Sequence, residues 1–346
     1  MTAYKKIFLM MLLAAVFVLS GCNTQAAVIG EVHDANLKIS MLNIGHGDAI
    51  LIRTKKQTIL IDTANVSENA RFVSELEKFS VTKIDKLILT HPHADHIGGA
   101  KLLLNPSAKD YINYPYLEKI SVGEVYDNGV VYASGIYRSY IKAAKVKEIP
   151  CRNLKSGDTL DFGGGVKFKL FWPTSDFVAT VSGKKIDKKD REHNINNGSM
   201  VGKLTYKKFS MMFTGDCEKE SELKIVANNK TKDLKCDVLK SGHHGSVTSS
   251  TKEFVAAVNP STVLVSAGDE STAENPYNGH PHIRPLETYM AAGVDEKNIF
   301  CTLMNGTITI TSDGKKFSVQ PEIKTDWVKT WITEKKKAEK KLRKKK

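Results

Sequence analysis

His91-Pro92-His93-Ala94-Asp95-His96 places three imidazoles and a carboxylate within six residues, directly after the apolar run Leu87 to Leu89. Burying that many ionisable groups together is unfavourable unless a cation compensates them, and imidazole with carboxylate is a donor set that zinc takes. The spacing fits chelation. His91 and His93 lie two residues apart and point the same way in an extended turn, while Asp95 and His96 continue round the loop towards a neighbouring position. A lone His-x-His is more often a solvated turn. The full cluster, set at a strand end with Ile97-Gly98-Gly99 opening a helix behind it, points to a pair of metal ions.

Outward from this loop the chain alternates strand-like and helix-like stretches. Strand runs at 37–43, 49–53 and 58–61 form a meander, Glu68 to Phe79 shows helical spacing at Phe72, Leu76 and Phe79, and Lys86 to Leu89 feeds the metal loop. The second half repeats the plan, with strands near 200–205, 209–213, 238–240 and 263–266 and helices near 218–227, 252–258 and 283–291. No short-period repeat is present. The Lys/Asp-rich stretch Ser182 to Asn197 reads as a mobile insertion beside the site.

The two ends of the chain suggest where it works. Lys5 and Lys6 precede the apolar stretch Ile7 to Leu19, too short to span a bilayer and of the length of a signal-peptide core. Leu19-Ser20-Gly21-Cys22 then reads as a lipobox with Cys22 as the lipidated residue, which predicts a signal peptide over 1–21, a tether over 22–36 and an extracytoplasmic, lipid-anchored location in a bacterium. A hydrolase domain over 37–320 and a basic tail over 321–346 complete the division. Cys151, Cys217, Cys236 and Cys301 are too few for a disulfide scaffold in so long a chain, and packing as small apolar residues is expected for most.

Net charge is +13, but Lys335 to Lys346 alone hold eight lysines and Arg343 against Glu339, a net +8. Such a run reads as solvated and disordered, and it attracts nucleic acid, anionic lipid or other phosphate-containing polyanions without sequence preference. No protein partner is evident.

Ile44-Gly45-His46-Gly47-Asp48-Ala49-Ile50-Leu51-Ile52, Leu60-Ile61-Asp62-Thr63, the His91–His96 cluster, Phe213-Thr214-Gly215-Asp216, Leu239-Lys240-Ser241-Gly242-His243-His244-Gly245-Ser246 and Gly279-His280-Pro281 occur in this order. Together they resemble the hydrolase domain of the ComEC competence family within the metallo-β-lactamase superfamily, from about Leu37 to Val319. Extracellular phosphorylcholine esterases of the same superfamily are a near second. The resemblance implies an α/β fold, a four-layer αββα sandwich of two sheets between outer helices.

It also implies the site. His91, His93, Asp95, His96, Asp216 and His244 are the expected metal ligands, with Asp216 bridging two ions. His243 is favoured as a substrate or supporting group rather than a ligand. Asp62 is expected to accept the outer N–H of a ligating imidazole and so fix its tautomer; Asp48 is either similar or structural. Where many superfamily members carry a further histidine before the bridging aspartate, this chain has Asn194-Ile195-Asn196-Asn197-Gly198-Ser199-Met200. The first metal position therefore has fewer protein ligands, so the two divalent ions can be zinc or manganese, and Asn197 and Ser199 are candidates to hold a water or phosphate oxygen. His193 lies nearby in charged surroundings that argue against it.

Two such ions activate water, so hydrolysis is the reaction class. Asp95 is expected to orient the nucleophile, His280 to steady a phosphoryl group or protonate the leaving oxygen, and Glu218 to be a weaker candidate of the same kind, since an acid there can also favour a helix start. A cell-surface phosphodiesterase or nuclease is the leading expectation. Removal of phosphorylcholine is the alternative and needs an aromatic cage, for which Tyr111, Tyr114, Tyr116, Trp172 and Tyr277 are available. A noncatalytic DNA-binding surface lipoprotein fits the intact metal motif poorly, and the missing histidine argues against β-lactam or lactone hydrolysis.

Overall fold

The computed structural model describes residues 36–182, 188–271, 273 and 277–344. The expected signal peptide, Cys22 and all of the tether but Asn36 lie outside the described residues. Among the described residues no helix is long and apolar enough to cross a membrane.

Side chains on a strand alternate between faces, so an apolar strand with both faces buried must meet two different neighbours. In β1 (Leu37–Met41), β2 (Ile50–Thr54), β3 (Thr58–Ile61) and β4 (Lys83–Leu89), the residues Ile39, Ile52, Ile61 and Ile88 enter one core, whereas Leu51, Leu60, Leu87 and Leu89 enter another. β5 (Ser121–Asp127) and β6 (Cys151–Asn153) continue the sheet in parallel beyond β4. The second sheet takes β7 (Thr159–Asp161), β8 (Val166–Trp172), β9 (Val201–Tyr206), β10 (Phe209–Phe213), β11 (Val238–Lys240), β12 (Thr262–Val265) and β13 (Ile299–Cys301). The chain then returns to the first sheet as β14 (Ile308–Ser312) and β15 (Phe317–Pro321). The orders are β15-β14-β1-β2-β3-β4-β5-β6 and β13-β12-β11-β10-β9-β8-β7.

Between the sheets lies a core to which β1 gives Leu37, Ile39 and Met41 and β10 gives Phe209, Met211 and Phe213. Outside the first sheet, Phe72 and Leu76 of the helix Asn69–Lys78 and Tyr140 of the helix Gly135–Val146 cover the opposite face. Outside the second sheet the helices Lys219–Asn228, Lys252–Val258 and Ile283–Ala291 do the same with Ile225, Phe254 and Leu286. The result is the expected α/β architecture, two sheets between helical layers, and it is the metallo-β-lactamase fold.

Two stretches differ from their expected character. Part of the charged segment before Met200 is the helix Lys188–Asn197, whose Ile195 is buried with Val130 and Val181. The basic end is also not free: Val328–Arg343 is a helix, and Val328 and Trp331, with Trp327 before them, join the core outside the second sheet. Those three apolar residues and the buried Lys335 share one helical face, which charge counting hides. The four described cysteines are free, and Cys217, Cys236 and Cys301 are buried as expected, while Cys151 is exposed.

Candidate metal centre

Strand ends on one edge of the sandwich supply the site. β4 runs into Thr90 and the His91–His96 loop, β3 into Asp62, β10 into Asp216, β11 into His243 and His244, and β12 into Ser266. Asp62, His243 and His244 all have left-handed backbone, at φ of 60°, 46° and 53°. Non-glycine residues held there cost of order 1–3 kcal/mol each and concentrate at functional sites. Gly47, at φ 119°, allows the closest approach: a Cβ there would stand 2.2 Å from the carbonyl oxygen of Asp95.

The turns bring Asp95, His96, Asp216 and His244 together, with one donor atom from each within 4.8 Å of the others. His96 Nε2 lies 3.2 Å and His244 Nε2 3.4 Å from Asp216 Oδ2, and His244 Nε2 is 3.3 Å from Asp95 Oδ2. His96, Asp216 and His244 are buried. His91 and His93 stand alongside rather than within this group: His91 Nε2 is 3.0 Å from His93 Nδ1 and 3.9 Å from Asp216 Oδ2.

Each central imidazole is fixed from behind. His96 Nδ1 donates to Asp62 Oδ2 at 2.7 Å, and Asp62 also accepts from the Thr90 amide and hydroxyl, both at 2.7 Å. His244 Nδ1 donates to the Ser266 carbonyl at 2.9 Å. These bonds occupy both Nδ1 atoms and leave both Nε2 atoms facing the carboxylates, the orientation that a ligating histidine requires. His96 Nε2, His244 Nε2 and Asp216 Oδ1 are buried and have no hydrogen-bond partner. Buried polar atoms are nearly always satisfied, so three unsatisfied donor atoms converging here fit a cation.

Electrostatics agree. Burial opposes a charged His244, but Asp216 and Asp95 outweigh it and push the imidazole up to about 10. Burial likewise opposes a charged His96, and Asp216, Asp95 and Asp62 raise it well above the ordinary value. Against the same burial penalty, the histidines hold Asp95 and Asp216 well below the usual carboxylate range. His91 is driven down by burial and by His96 and His93.

Around this centre the expected residues take distinct places. Glu218 precedes a helix but makes no side-chain cap; its buried carboxylate is 3.1 Å from His243 Nδ1 and 2.7 Å from His193 Nδ1, and accepts from Asn196 at 3.1 Å. His243 therefore faces Glu218, with its Nε2 3.8 Å from Asp216 Oδ2. Ser199 is wholly buried and accepts the Asp216 amide at 3.0 Å, so it positions that aspartate instead of meeting substrate. Asn197 lies in the wall of the cleft beside the centre: its amide donates to Glu220, its side-chain oxygen accepts from the Ser221 amide, and its carbonyl accepts from Trp172 Nε1. His280 sits beside the two histidines, its ring centroid 5.8 Å from that of His243 and 6.2 Å from that of His244.

The aromatic candidates do not form a cage. Tyr111, Tyr114 and Tyr116 belong to the core outside the first sheet, whereas Trp172 and Tyr277 belong to the core outside the second.

Lys240 was invisible as a site residue. It is buried, 2.6 Å from Asp48 Oδ2, and donates to the Gly215 carbonyl at 2.9 Å. A lysine within the otherwise apolar Val238-Leu239-Lys240 was the available signal, and it gives Asp48 its partner. Glu270 was missed too; it lies 2.7 Å from His280 Nδ1. Beside the centre, reached through His193 and Glu218, opens a cleft of about 670 Å³ with Lys219, Lys224 and Arg284 in its wall.

The metallo-beta-lactamase superfamily pattern matches residues 42–184 of the chain, in keeping with this fold and donor set, and members of that superfamily commonly bind two divalent metals. The chain is homologous to competence proteins, being 29% identical over 308 residues to ComE operon protein 3 of Bacillus subtilis, across 83% of this chain and 35% of that protein. Competence protein ComA of Neisseria gonorrhoeae is 27% identical over 239 residues, 69% of this chain and 28% of that one. The chain thus spans about a third of the length of these curated relatives. Among solved structures, the metallo-beta-lactamase fold protein YhfI from Bacillus subtilis aligns with a TM-score of 0.47 at 10% identity, over 79% of this chain and 99% of that one.

Proposed function

We propose that the protein is a metal-dependent phosphodiesterase acting on nucleic acid. The convergence of His96 Nε2, His244 Nε2 and Asp216 Oδ1, buried and unsatisfied, carries the proposal. Asp95, His96, Asp216 and His244 would hold one ion, and His91 and His93 with Asp216 the other. Two divalent ions in such a site supply Lewis acidity, which brings the pKa of water towards neutrality and offsets charge on phosphoryl oxygens.

The protein's own groups then orient the reaction. Asp95 Oδ2, 3.3 Å from His244 Nε2 and 3.5 Å from His46 Nε2, is placed to accept a hydrogen bond from the attacking water. Glu218 backs His243 at the cleft side, and His280 stands where it can donate to the leaving oxygen. Lys219, Lys224 and Arg284 offer cationic contacts to flanking phosphates. Similarity to a relative named as a competence protein favours a nucleic-acid substrate over surface polymers, and the dispersed aromatics remove the support for choline recognition.

Leader-like residues and Cys22 support a lipid-anchored site of action outside the cytoplasmic membrane. Retained membrane attachment and processing of Cys22→Ser at an unrelated site would remove that part.

The test is hydrolysis by the purified protein, with manganese or zinc, of linear DNA, closed circular DNA, RNA and p-nitrophenyl phosphorylcholine. Metal-dependent nucleic-acid cleavage, lost in Asp216→Ala, is expected, and nicking of closed circles marks endonuclease action. Turnover of the choline ester alone would replace this function with the esterase one.

A further inference from the structure

We infer that His280 is held in place by a two-sided clamp, Glu270 on one side and the C-terminal helix Val328–Arg343 on the other, so that Glu270, Trp331 and Lys335 are positioning residues for the candidate acid. The inference rests on the hydrolase function only for the consequence on turnover; the clamp itself is a matter of geometry.

Glu270 Oε1 meets both the backbone and the ring of His280, accepting from the amide at 3.1 Å and from Nδ1 at 2.7 Å. An ionised carboxylate only accepts, and hydrogen bonding to His280 holds Glu270 down at about 2, so Nδ1 keeps its proton throughout and Nε2 is the nitrogen at which the ring takes up and gives away the acidic one. The arrangement repeats at the cleft mouth what Asp62 does for His96 within the centre.

The second side comes from more than fifty positions along the chain. Trp331 Nε1 donates to the Pro281 carbonyl at 2.9 Å, and Lys335 Nζ donates to the carbonyls of Gly279 and, at 3.3 Å, Pro281. Both carbonyls that flank His280 are therefore bound to the helix. Trp331 is packed in the core outside the second sheet, with Tyr277 edge-on at 5.4 Å, and the Lys335 ammonium lies 5.2 Å from the Trp331 ring. Lys335 is only 4% exposed. Solvation does not explain a buried lysine aimed at two loop carbonyls; a fixed loop does. The helix also grips the neighbouring helix Ile283–Ala291 from its exposed side, through Lys336 and Glu287 at 2.7 Å.

The experiment reads the ring directly. Histidine 15N–1H spectra of the full-length chain, with and without zinc, should show His280 as the Nδ1–H tautomer. Glu270→Ala should shift it to a tautomer mixture, Glu270→Gln should largely restore it because the amide oxygen still accepts, and Trp331→Phe/Lys335→Met should broaden or shift it while the fold survives on the retained aromatic. In parallel, kcat should fall about ten- to hundredfold in Glu270→Ala and in the double variant, with KM changing by less than about threefold, because the clamp orients a group that acts in the transition state. An unchanged His280 spectrum in Glu270→Ala or in the double variant overturns the clamp. A wild-type protein that hydrolyses nothing, yet shows the tautomer response, would overturn the proposed function and leave the clamp standing.

Discussion

Metal affinity should climb steeply with pH across the neutral range. In chelator-treated protein His244 has its pKa raised to about 10 and His96 is raised well above the ordinary imidazole value, while Asp95 and Asp216 stay ionised. Between about pH 6 and about pH 8 the His244 imidazole therefore carries a proton that a cation must displace to reach Nε2, and the raised His96 acts in the same direction. A displaced proton costs about one decade of affinity per pH unit below its pKa, so this window spans about hundredfold for His244 alone, and His96 steepens it. The sign for folding runs the other way. A raised imidazole pKa stabilises the cation-free fold fully below its unfolded value near 6.5 and loses that contribution as pH rises through about 10. Raising pH should thus weaken the chelated fold and strengthen cation binding together. Competition against a chelator at several pH values measures the slope, and calorimetry in buffers of different ionisation enthalpy counts the protons released. A flat affinity, or release of fewer than one proton per protein, would refute the assignment of His96 and His244 as the displaced groups.

Three further outcomes follow from the site. Asp216→Ala should lose most bound metal and nearly all hydrolysis, whereas Glu218→Ala should keep metal content near normal, because Glu218 touches His243 rather than the central donors; tightly bound metal in Asp216→Ala, by elemental analysis, contradicts this. Lys240→Met should cost about 3–5 kcal/mol in urea unfolding, since it strands Asp48 without its buried partner, and Asp48→Asn in the same chain should recover part of the loss. Replacing Lys219, Lys224 and Arg284 with Gln should raise KM for long DNA at low salt and leave turnover of a small phosphodiester nearly unchanged, with the gap closing as salt rises; a salt-independent gap would exclude the electrostatic explanation.

Sheet strands were legible because their periodicity is local: Ile39 and Ile52 against Leu51 and Leu60 already announce two different cores. The centre was legible where one loop carries several donors, or where an acid or histidine ends an apolar strand. Direction was not. Ser199 lies close to the centre, as expected, but its hydroxyl is turned to the Asp216 amide inside the protein, and chain position says nothing of that. Lys240 and Asp48 are separated by nearly two hundred positions, so their pairing exists only once β11 and the β1–β2 loop meet. At the C-terminus the described basic residues after Lys335 are exposed, as charge counting implies, but the segment is a helix rather than disordered, because docking depends on the single face that bears Val328, Trp331 and Lys335 and a charge sum averages that face away.

Why such a centre can hold three left-handed residues follows from where the sheets end. Asp62 and the His91–His96 loop leave the first sheet, while Asp216, His243 and His244 leave the second, so the donors converge only if the core between the sheets is in register. Strain at Asp62, His243 and His244 amounts to about 3–9 kcal/mol in all, comparable with the whole net stability of a domain. It persists because fixed acceptors and donors on the scaffold over-determine each turn: the Ile88 carbonyl takes the Asp62 amide at 2.8 Å, the Gly215 carbonyl takes the His243 amide at 3.1 Å, and the Ser266 carbonyl takes the His244 ring. A cation held by these donors would add about 2.7 kcal/mol to folding at a hundredfold excess over its dissociation constant. Metal and fold would thus be linked through the inter-sheet core, and a cavity cut there by Met211→Ala, in the body of β10, should weaken metal binding in a chelator competition by shifting one set of strand ends against the other; unchanged affinity would refute the linkage.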